Sequence, residues 1–503
     1  MIAENPEERR LSNFIPGLEA QLCADPQLPR PNPTESFWQL PPHATLSEAQ
    51  SETLSETIDI AIIGSGVTGC SVAKNLLDLT ASSSQSFSIT VFEARTLTSG
   101  ATGRNGGLLS SFVPGDYSTL SENFGHEQAI KIARYANRTL DKMYELGRSS
   151  EEAKKLSEVR NLVDVIGFED EGSFNGALES LRLYEEHVPE GRGQARILNA
   201  QEVESEYNMR AAAGAIVCPN GAFWPYRLIT HTWEQLCSQY KSRLSIETRT
   251  PVTKIMYDVD TDPIHPYALH TSRGMVRASK IVHATNGYTG HLLPQLRGKI
   301  YPLRGTMSTQ KSTPAFGHHG HALSWSMINS GHFDSTTGIV EAGLYYSNQN
   351  PHTNDIFIGG EKTKIDELFI SDDTEVGGSC IENISGLLPR FFTKGWNADE
   401  QPEVIKVWSG IMGFTADHLP LIGQLPKSIT NRGEEGNGGE YIAAGFNGYG
   451  MPLCWSSGEA VAKMLLGIDV SDFLPEVFLV DEQRLQDPQR MSTKAALTIA
   501  FGR

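Results

Sequence analysis

An α/β fold is predicted by three features of the chain: the Ile-rich run IDIAIIG from Ile58 to Gly64, the glycine-punctuated stretch that continues it, and a second apolar run, FSITVFEA, that carries Glu93 at its end. An Ile-rich run of this length suits a strand buried on both faces of a parallel sheet. The chain has 503 residues, 39% of them hydrophobic, so it can bury more than one core, and two interleaved domains are expected. A net charge of −18 with no clustered Lys and Arg excludes a nucleic-acid binder and favours small-molecule chemistry. Six scattered cysteines show neither CxxC pairs nor zinc-like spacing, as in a reduced protein with buried thiols and no metal. The acidic start MIAENPEERR lacks the pattern of a signal peptide, no run is long enough for a transmembrane helix, and the final Phe-Gly-Arg is not a peroxisomal tripeptide. A cytoplasmic protein without membrane partners is expected.

Residues 1–57 are rich in proline and polar residues, as in DPQLPRPNPTESFWQLPPH, and read as an extended arm on the surface, with Trp38 as a candidate anchor. The first strand follows, then Gly64, Ser65, Gly66, Val67, Thr68 and Gly69, then a helix over 67–79. This order of strand, GxGxxG and helix is the Rossmann dinucleotide fingerprint. Gly64 permits the tight turn, Gly66 lets the main chain approach a pyrophosphate, and Gly69 lets helix and sheet pack closely. Glu93 stands 24 residues after Gly69, where a carboxylate can accept bonds from ribose hydroxyls; the insertion TASSSQS accounts for the slightly long spacing. The fingerprint does not choose between NAD and FAD.

A second glycine loop, SGATGRNGG from Ser99 to Gly107, combines backbone amides, hydroxyls and little bulk. Those properties fit either a main chain running close to a flat ring or pyrophosphate, or a flexible surface loop. KIVHATNGYTG reads as a strand ending in small polar residues, either a strand tip at the cofactor or an ordinary turn. After VWSGIMGFTADHLPLIGQLP and the polar NRGEEGNGGE comes YIAAGFNGYGMPLCWSSGEAVAKMLLG, which repeats the first logic: an apolar strand, a turn with Gly445, Gly448 and Gly450, then a helix with small residues toward its partner. Its helix start would face an electron-rich group such as a ring carbonyl.

With GSGVTG, Glu93, SGATGRNGG, ATNGYT, YPLRGT, DIFIGGE, FTADHLPLIG and GFNGYGM in order over about 58–467, the chain resembles the D-amino acid oxidase superfamily of FAD-dependent oxidoreductases, nearest its glycine, sarcosine and γ-glutamylputrescine oxidase-like branch. The resemblance implies a discontinuous Rossmann-type FAD-binding domain from residues 58–115, 200–295 and 400–470. It also implies an α+β substrate domain on an antiparallel sheet from 116–199 and 296–399, leaving 471–503 as a C-terminal tail. In that picture Ala94 and Arg95 lie at the adenosine end and Val252 contacts the adenine. Ser99, Gly100, Ala101, Thr102, Arg104, Asn105, Gly106 and Gly107 pass the pyrophosphate and flavin, while Gly413, Gly445, Asn447, Gly448, Tyr449, Gly450 and Met451 complete the flavin side. Pro225 in GAFWPYRLITHTWEQL suits a first helical turn; Trp224 and Tyr226 either line the pocket or pack in the core.

The implied chemistry is oxidation of a carbon next to an amine nitrogen by hydride transfer to flavin N5. Dioxygen is the expected acceptor and hydrogen peroxide the product. No triad is required, since the cofactor carries the hard step. His318, His319 and His321 cluster without a suitably spaced carboxylate, so a loop is the simpler account. Arg104 stands where some relatives attach FAD through a histidine, and Val407–Thr415 holds no cysteine, so noncovalent FAD is expected. Met451 and Pro452 occupy the place of the lysine that holds the substrate carboxylate in sarcosine-type relatives, which weakens the case for a simple amino acid. Arg104, Arg227 or Arg304 could replace that lysine, or Arg304 could brace the sheet. The alternatives are a tailoring oxidase that forms a C=N or C=C bond or a ring, and a flavin-binding protein without turnover. A nicotinamide dehydrogenase would not need the final glycine turn.

Overall fold

A computed structural model of the chain describes residues 14–82, 86–397, 400–433 and 439–500. The start MIAENPEERR, the middle of TASSSQS, half of NRGEEGNGGE and the final Phe-Gly-Arg lie outside the described residues. Two large sheets organise the rest.

The first sheet runs Leu421–Gln424, Glu440–Ala444, Gly274–His283, Thr57–Ile63, Ile89–Phe92 and Leu244–Glu247, with Val252–Tyr257 and Tyr267–Thr271 added as a flap. Thr57–Ile63 is central and parallel to both neighbours, Ile62 facing Val91 on one side and Val282 on the other. Ile60, Ala61 and Ile62 are fully or almost fully buried, as an Ile-rich central strand requires. Helices Val67–Leu79 and Cys454–Leu465 pack on it. They touch closely because Gly458 has no side chain: a Cβ there would lie 2.6 Å from Ser71 Cβ and 2.7 Å from Thr68 O.

The second sheet runs Val404–Thr415, Ile300–Gln310, Ile356–Lys364, Ile339–Gln349, Leu323–Ile328, Arg160–Phe168, Gly214–Ala222 and Arg196–Leu198, with His332–Asp334 beside Ile339–Gln349. Every pair is antiparallel except Leu323–Ile328 with Arg160–Phe168. Strands Gly214–Ala222 and Val404–Thr415 pair here, although the sequence reading placed both in nucleotide-binding segments. Strand pairing is a long-range choice that local pattern does not encode.

The N-terminal arm differs from the expected extended surface segment. Ile15–Cys23 is a helix whose Leu18 and Leu22 enter a core with Leu293, Leu296, Leu485 and Leu497. Trp38 is also buried, stacked on Phe357 with ring centroids 4.1 Å apart. The tail is equally integrated: buried Arg484 makes a two-pronged ion pair with Asp417 at 2.9 and 3.0 Å, fixing the turn that follows Val404–Thr415. Among the described residues no helix is long and apolar enough to cross a membrane.

Candidate functional site

A cavity of about 1880 Å³ is lined from both sheets. It exceeds the roughly 300–1,000 Å³ of an ordinary small-molecule pocket, so it has room for a dinucleotide and a further small molecule.

Gly64 to Thr68, Glu93 to Arg95, Val252 and Ala284 line one end. Gly64 has φ +110°, and a Cβ there would sit 2.5 Å from Ala284 O, so the turn requires glycine. The tip of KIVHATNGYTG therefore meets the first glycine turn directly. At Gly69 a Cβ would overlap Gly64 O, which is why the helix can follow the turn so closely. Val67 N–H donates to Thr102 Oγ1 at 3.0 Å, joining the two glycine loops. The N-cap residue Gly66 has no side chain to cap helix Val67–Leu79, and this helix start lining a cavity suits an anion. The cradle thus fits the pyrophosphate of a dinucleotide. Glu93 accepts from Ser65 Oγ at 2.6 Å and from Arg95 N–H at 3.0 Å, which orients its carboxylate and leaves lone pairs for ribose hydroxyls.

Charges at this end are paired. Arg95 forms a bidentate bond with fully buried Asp373 at 2.8 and 3.1 Å. Burial works against the Arg95 charge, but Asp373 more than offsets it and holds its pKa above the ordinary value. Arg104 lies 3.8 Å from the same carboxylate; burial, then the neighbouring Arg95, bring it down to about 10. Its guanidinium donates to Ser99 O at 3.0 Å, Ser409 O at 2.7 Å and Thr34 O at 2.6 Å. Arg104 therefore ties loop, strand and arm together and is not free for a substrate carboxylate.

The second glycine loop crosses the middle of the cavity, with Gly100, Ala101, Thr102, Arg104, Asn105 and Gly106 in its wall. The second sheet holds it: Asn348 Nδ2 donates to Gly106 O at 2.7 Å, and the Tyr346 ring lies where a Gly106 Cβ would be. Gly107, at φ +69°, makes room for the Trp38 ring. The final turn supplies Asn447, Gly448, Tyr449, Gly450 and Met451 at the far end. Thr415 N–H donates to Asn447 Oδ1 at 2.8 Å, and Tyr449 stacks on Phe112 at 4.6 Å.

Other expected site residues stand one layer back. Gly69, Ser99, Gly107, Gly413 and Gly445 do not line the cavity. Gly413 and Gly445 close on Asn286, whose Oδ1 accepts the Gly445 N–H at 3.1 Å. Trp224 and Tyr226 also lie outside the wall: Trp224 Nε1–H donates to Trp38 O at 2.6 Å, and the Tyr226 hydroxyl accepts from His43 N–H at 3.1 Å. Arg304 faces away because its strand presents Leu303, Gly305 and Met307 to the cavity, and it pairs with Glu367 at 2.9 Å. Arg227 is held by Glu158 at 3.4 Å and covers the Trp224 ring. Asp116, Tyr346, Asn348 and Asp373 belong to the site without any motif to announce them, and Glu361 ends DIFIGGE. They arrive through strand register and tertiary packing.

A dinucleotide cradle on one sheet, opening past two glycine loops onto a chamber walled by a second sheet, defines an FAD-dependent oxidoreductase. Residues 59–464 match the family described as "FAD dependent oxidoreductase" (DAO), and the chain belongs to that family, with FAD as its cofactor. It is 23% identical over 433 residues to gamma-glutamylputrescine oxidoreductase of Escherichia coli (strain K12), covering 83% of this chain and 86% of that one. It is 22% identical over 419 residues to the probable oxidoreductase OrdL of Rhizobium meliloti (strain 1021), covering 82% and 84%. In fold it resembles glycine oxidase from Geobacillus kaustophilus, with a TM-score of 0.61 and 19% identity over 85% of this chain and 99% of that one.

Proposed function

We propose that the protein oxidises a carbon next to an amine nitrogen. The observation that carries this reading is the continuity of the cavity, which leads from the dinucleotide cradle past Gly106 to a chamber between Tyr346 and Tyr449. The amine-acting names of the relatives point the same way. FAD, when bound, supplies a hydride acceptor and passes the two electrons to dioxygen, giving hydrogen peroxide, while the imine product hydrolyses in water. Residues 64–68 and 93–95 would hold the pyrophosphate and adenosine, Val252 would meet the adenine, and lining residues of 100–106 with 447–451 would frame the flavin.

The chain's own contribution is orientation and exclusion of water. Backbone held by Asn348, Thr102 and Asn447 forms the rigid wall against which a substrate is aligned. Tyr346 and Tyr449 offer apolar faces, and burial raises the pKa of both hydroxyls so that they stay protonated at neutral pH. No covalent link to FAD is proposed, because Arg104 is fully engaged and Val407–Thr415 contains no thiol.

The test is a visible spectrum of the purified protein, then anaerobic bleaching and aerobic peroxide release across amines and amino acids. Flavin bands that bleach with an amine and recover in air with peroxide are expected. Bound flavin that no amine bleaches refutes the reading. Acid precipitation should leave the yellow colour in the supernatant; colour in the pellet would refute noncovalent binding.

A further inference from the structure

The charges around the cavity are unevenly distributed. Among the described residues its only Arg or Lys side chains are Arg95 and Arg104, and both are held at the nucleotide end. Away from the nucleotide end, where Glu93 lies, four lining carboxylates, Asp116, Asp141, Asp164 and Glu361, have no cationic side chain within ion-pairing distance. His418 lines the wall too, but burial lowers its pKa and keeps it neutral.

The register of the second sheet sets these acceptors in a row. Asp164 accepts from Ser324 Oγ at 2.8 Å and Ser326 Oγ at 3.0 Å. Ser326 faces Tyr346 on the next strand, and Tyr346 faces Gly359, two residues before Glu361. Ser324 also takes a bond from Asn220 Nδ2 at 2.9 Å. Asn220, only 7% exposed and part of the cavity wall, keeps an Oδ1 with no partner at all. From Glu361 to Asp164 the row crosses three strand spacings, roughly 14 Å. Glu361 spends Oε1 on the Thr306 N–H, beyond the point where strands Ile300–Gln310 and Ile356–Lys364 stop pairing. Its Oε2 has only Thr306 Oγ1 at 3.4 Å and the Cys380 thiol at 3.8 Å. The Asp116 carboxylate, in the first turn of helix Val113–Gly147, has no hydrogen-bond partner among the described residues and lines the cavity beside Tyr449.

A chamber with spare acceptors, aromatic faces and no free cation complements a ligand rich in N–H donors and repels a carboxylate. Resting on the amine-oxidising reading above, we propose that the substrate is a linear di- or oligoamine, with one amine at the flavin and a remote ammonium held by Glu361 or further along the row toward Asp164. Glu361 is the specificity-determining residue. Burial raises the pKa of Glu361 far above the ordinary carboxylate value, the Thr306 hydrogen bonds and the more distant Arg304 offsetting it only in part, and an arriving ammonium supplies a close partner.

The experiment uses the flavin-loaded protein and α,ω-diaminoalkanes of four to eight carbons, each beside the monoamine and the ω-amino acid of equal length. At the best length, the diamine should bleach the flavin anaerobically at a half-saturating concentration at least tenfold below that of the monoamine. The ω-amino acid should be the poorest of the three. Glu361→Gln keeps an acceptor for Thr306 and should collapse the diamine-to-monoamine ratio to within about twofold, with flavin content and melting temperature recorded alongside; Asp116→Asn is an independent second variant. A ω-amino acid equal to or better than its diamine, or a ratio untouched by both variants, overturns the inference while leaving the amine-oxidising reading in place. Flavin bleached by none of the series but by other amines also overturns it, and flavin bleached by no amine overturns both.

Discussion

The two ends of the cavity solve opposite electrostatic problems. At the nucleotide end every lining cation is answered, Arg95 and Arg104 by Asp373 and backbone carbonyls, and the start of helix Val67–Leu79 lines the wall. At the chamber end four carboxylates stand without a cation. A permanent cofactor can be met by a pre-paired, rigid wall; a transient substrate has to bring the missing charge itself. The same contrast separates clearance made by absent side chains, at Gly64, Gly66 and Gly69, from recognition made by the side chains of a sheet face.

The largest effect on flavin content should come from filling the clearance. Gly69→Val places bulk against Gly64 O, and the expected result is protein without flavin bands, destabilised by about 3 kcal/mol in denaturant unfolding. Retained flavin at the wild-type ratio would break the account of the cradle. Next is Asp373→Ala, which leaves two buried guanidiniums without their carboxylate and should cost about 3–5 kcal/mol. A loss smaller than 1 kcal/mol would mean that backbone carbonyls alone carry the two charges. Trp38→Ala empties the space over Gly107 and should cost about 3 kcal/mol, with looser flavin binding measured by equilibrium dialysis.

The smallest effect sharpens the other end. Burial raises the Asp164 pKa to about 6, well above its unfolded value, so the folded state binds the proton more tightly. Native stability is therefore favoured below the unfolded pKa and is lost as pH rises through about 6. Asp164→Asn should remove that dependence and narrow the difference in unfolding midpoint between pH 4 and pH 7, a change of about 1–3 kcal/mol. Identical pH profiles for both proteins would show that the Ser324 and Ser326 hydroxyls already neutralise the burial cost.

The cradle was legible because its logic is local. Strand, glycine turn, helix and Glu93 all fall within residues 57–93, and spacing alone carries their meaning. The chamber was not legible for the same physical reason in reverse. Whether Arg304 or Leu303 faces the cavity depends on which face of the strand is covered, and one residue of register exchanges them. Asp373 lies 278 residues from Arg95 and has no motif, so no local reading could join them. Trp38 was expected as an anchor, but the helix Ile15–Cys23 was hidden by the prolines and polar residues on either side of it. Glu361 ends DIFIGGE, a stretch that resembles the family, but whether its carboxyl faces the cavity depends on strand register.

The arm has one more consequence, in the order of assembly. Thr34 bonds Arg104 and Asp373, Trp38 stacks on Phe357, and helix Ile15–Cys23 packs in one core with Leu497. The arm therefore docks only once residues hundreds of positions further along, Phe357, Asp373 and Leu497 among them, are in place. Until it does, Gly107 has no ring above it and Gln27, Leu28 and Pro29 have not yet taken their places in the cavity wall.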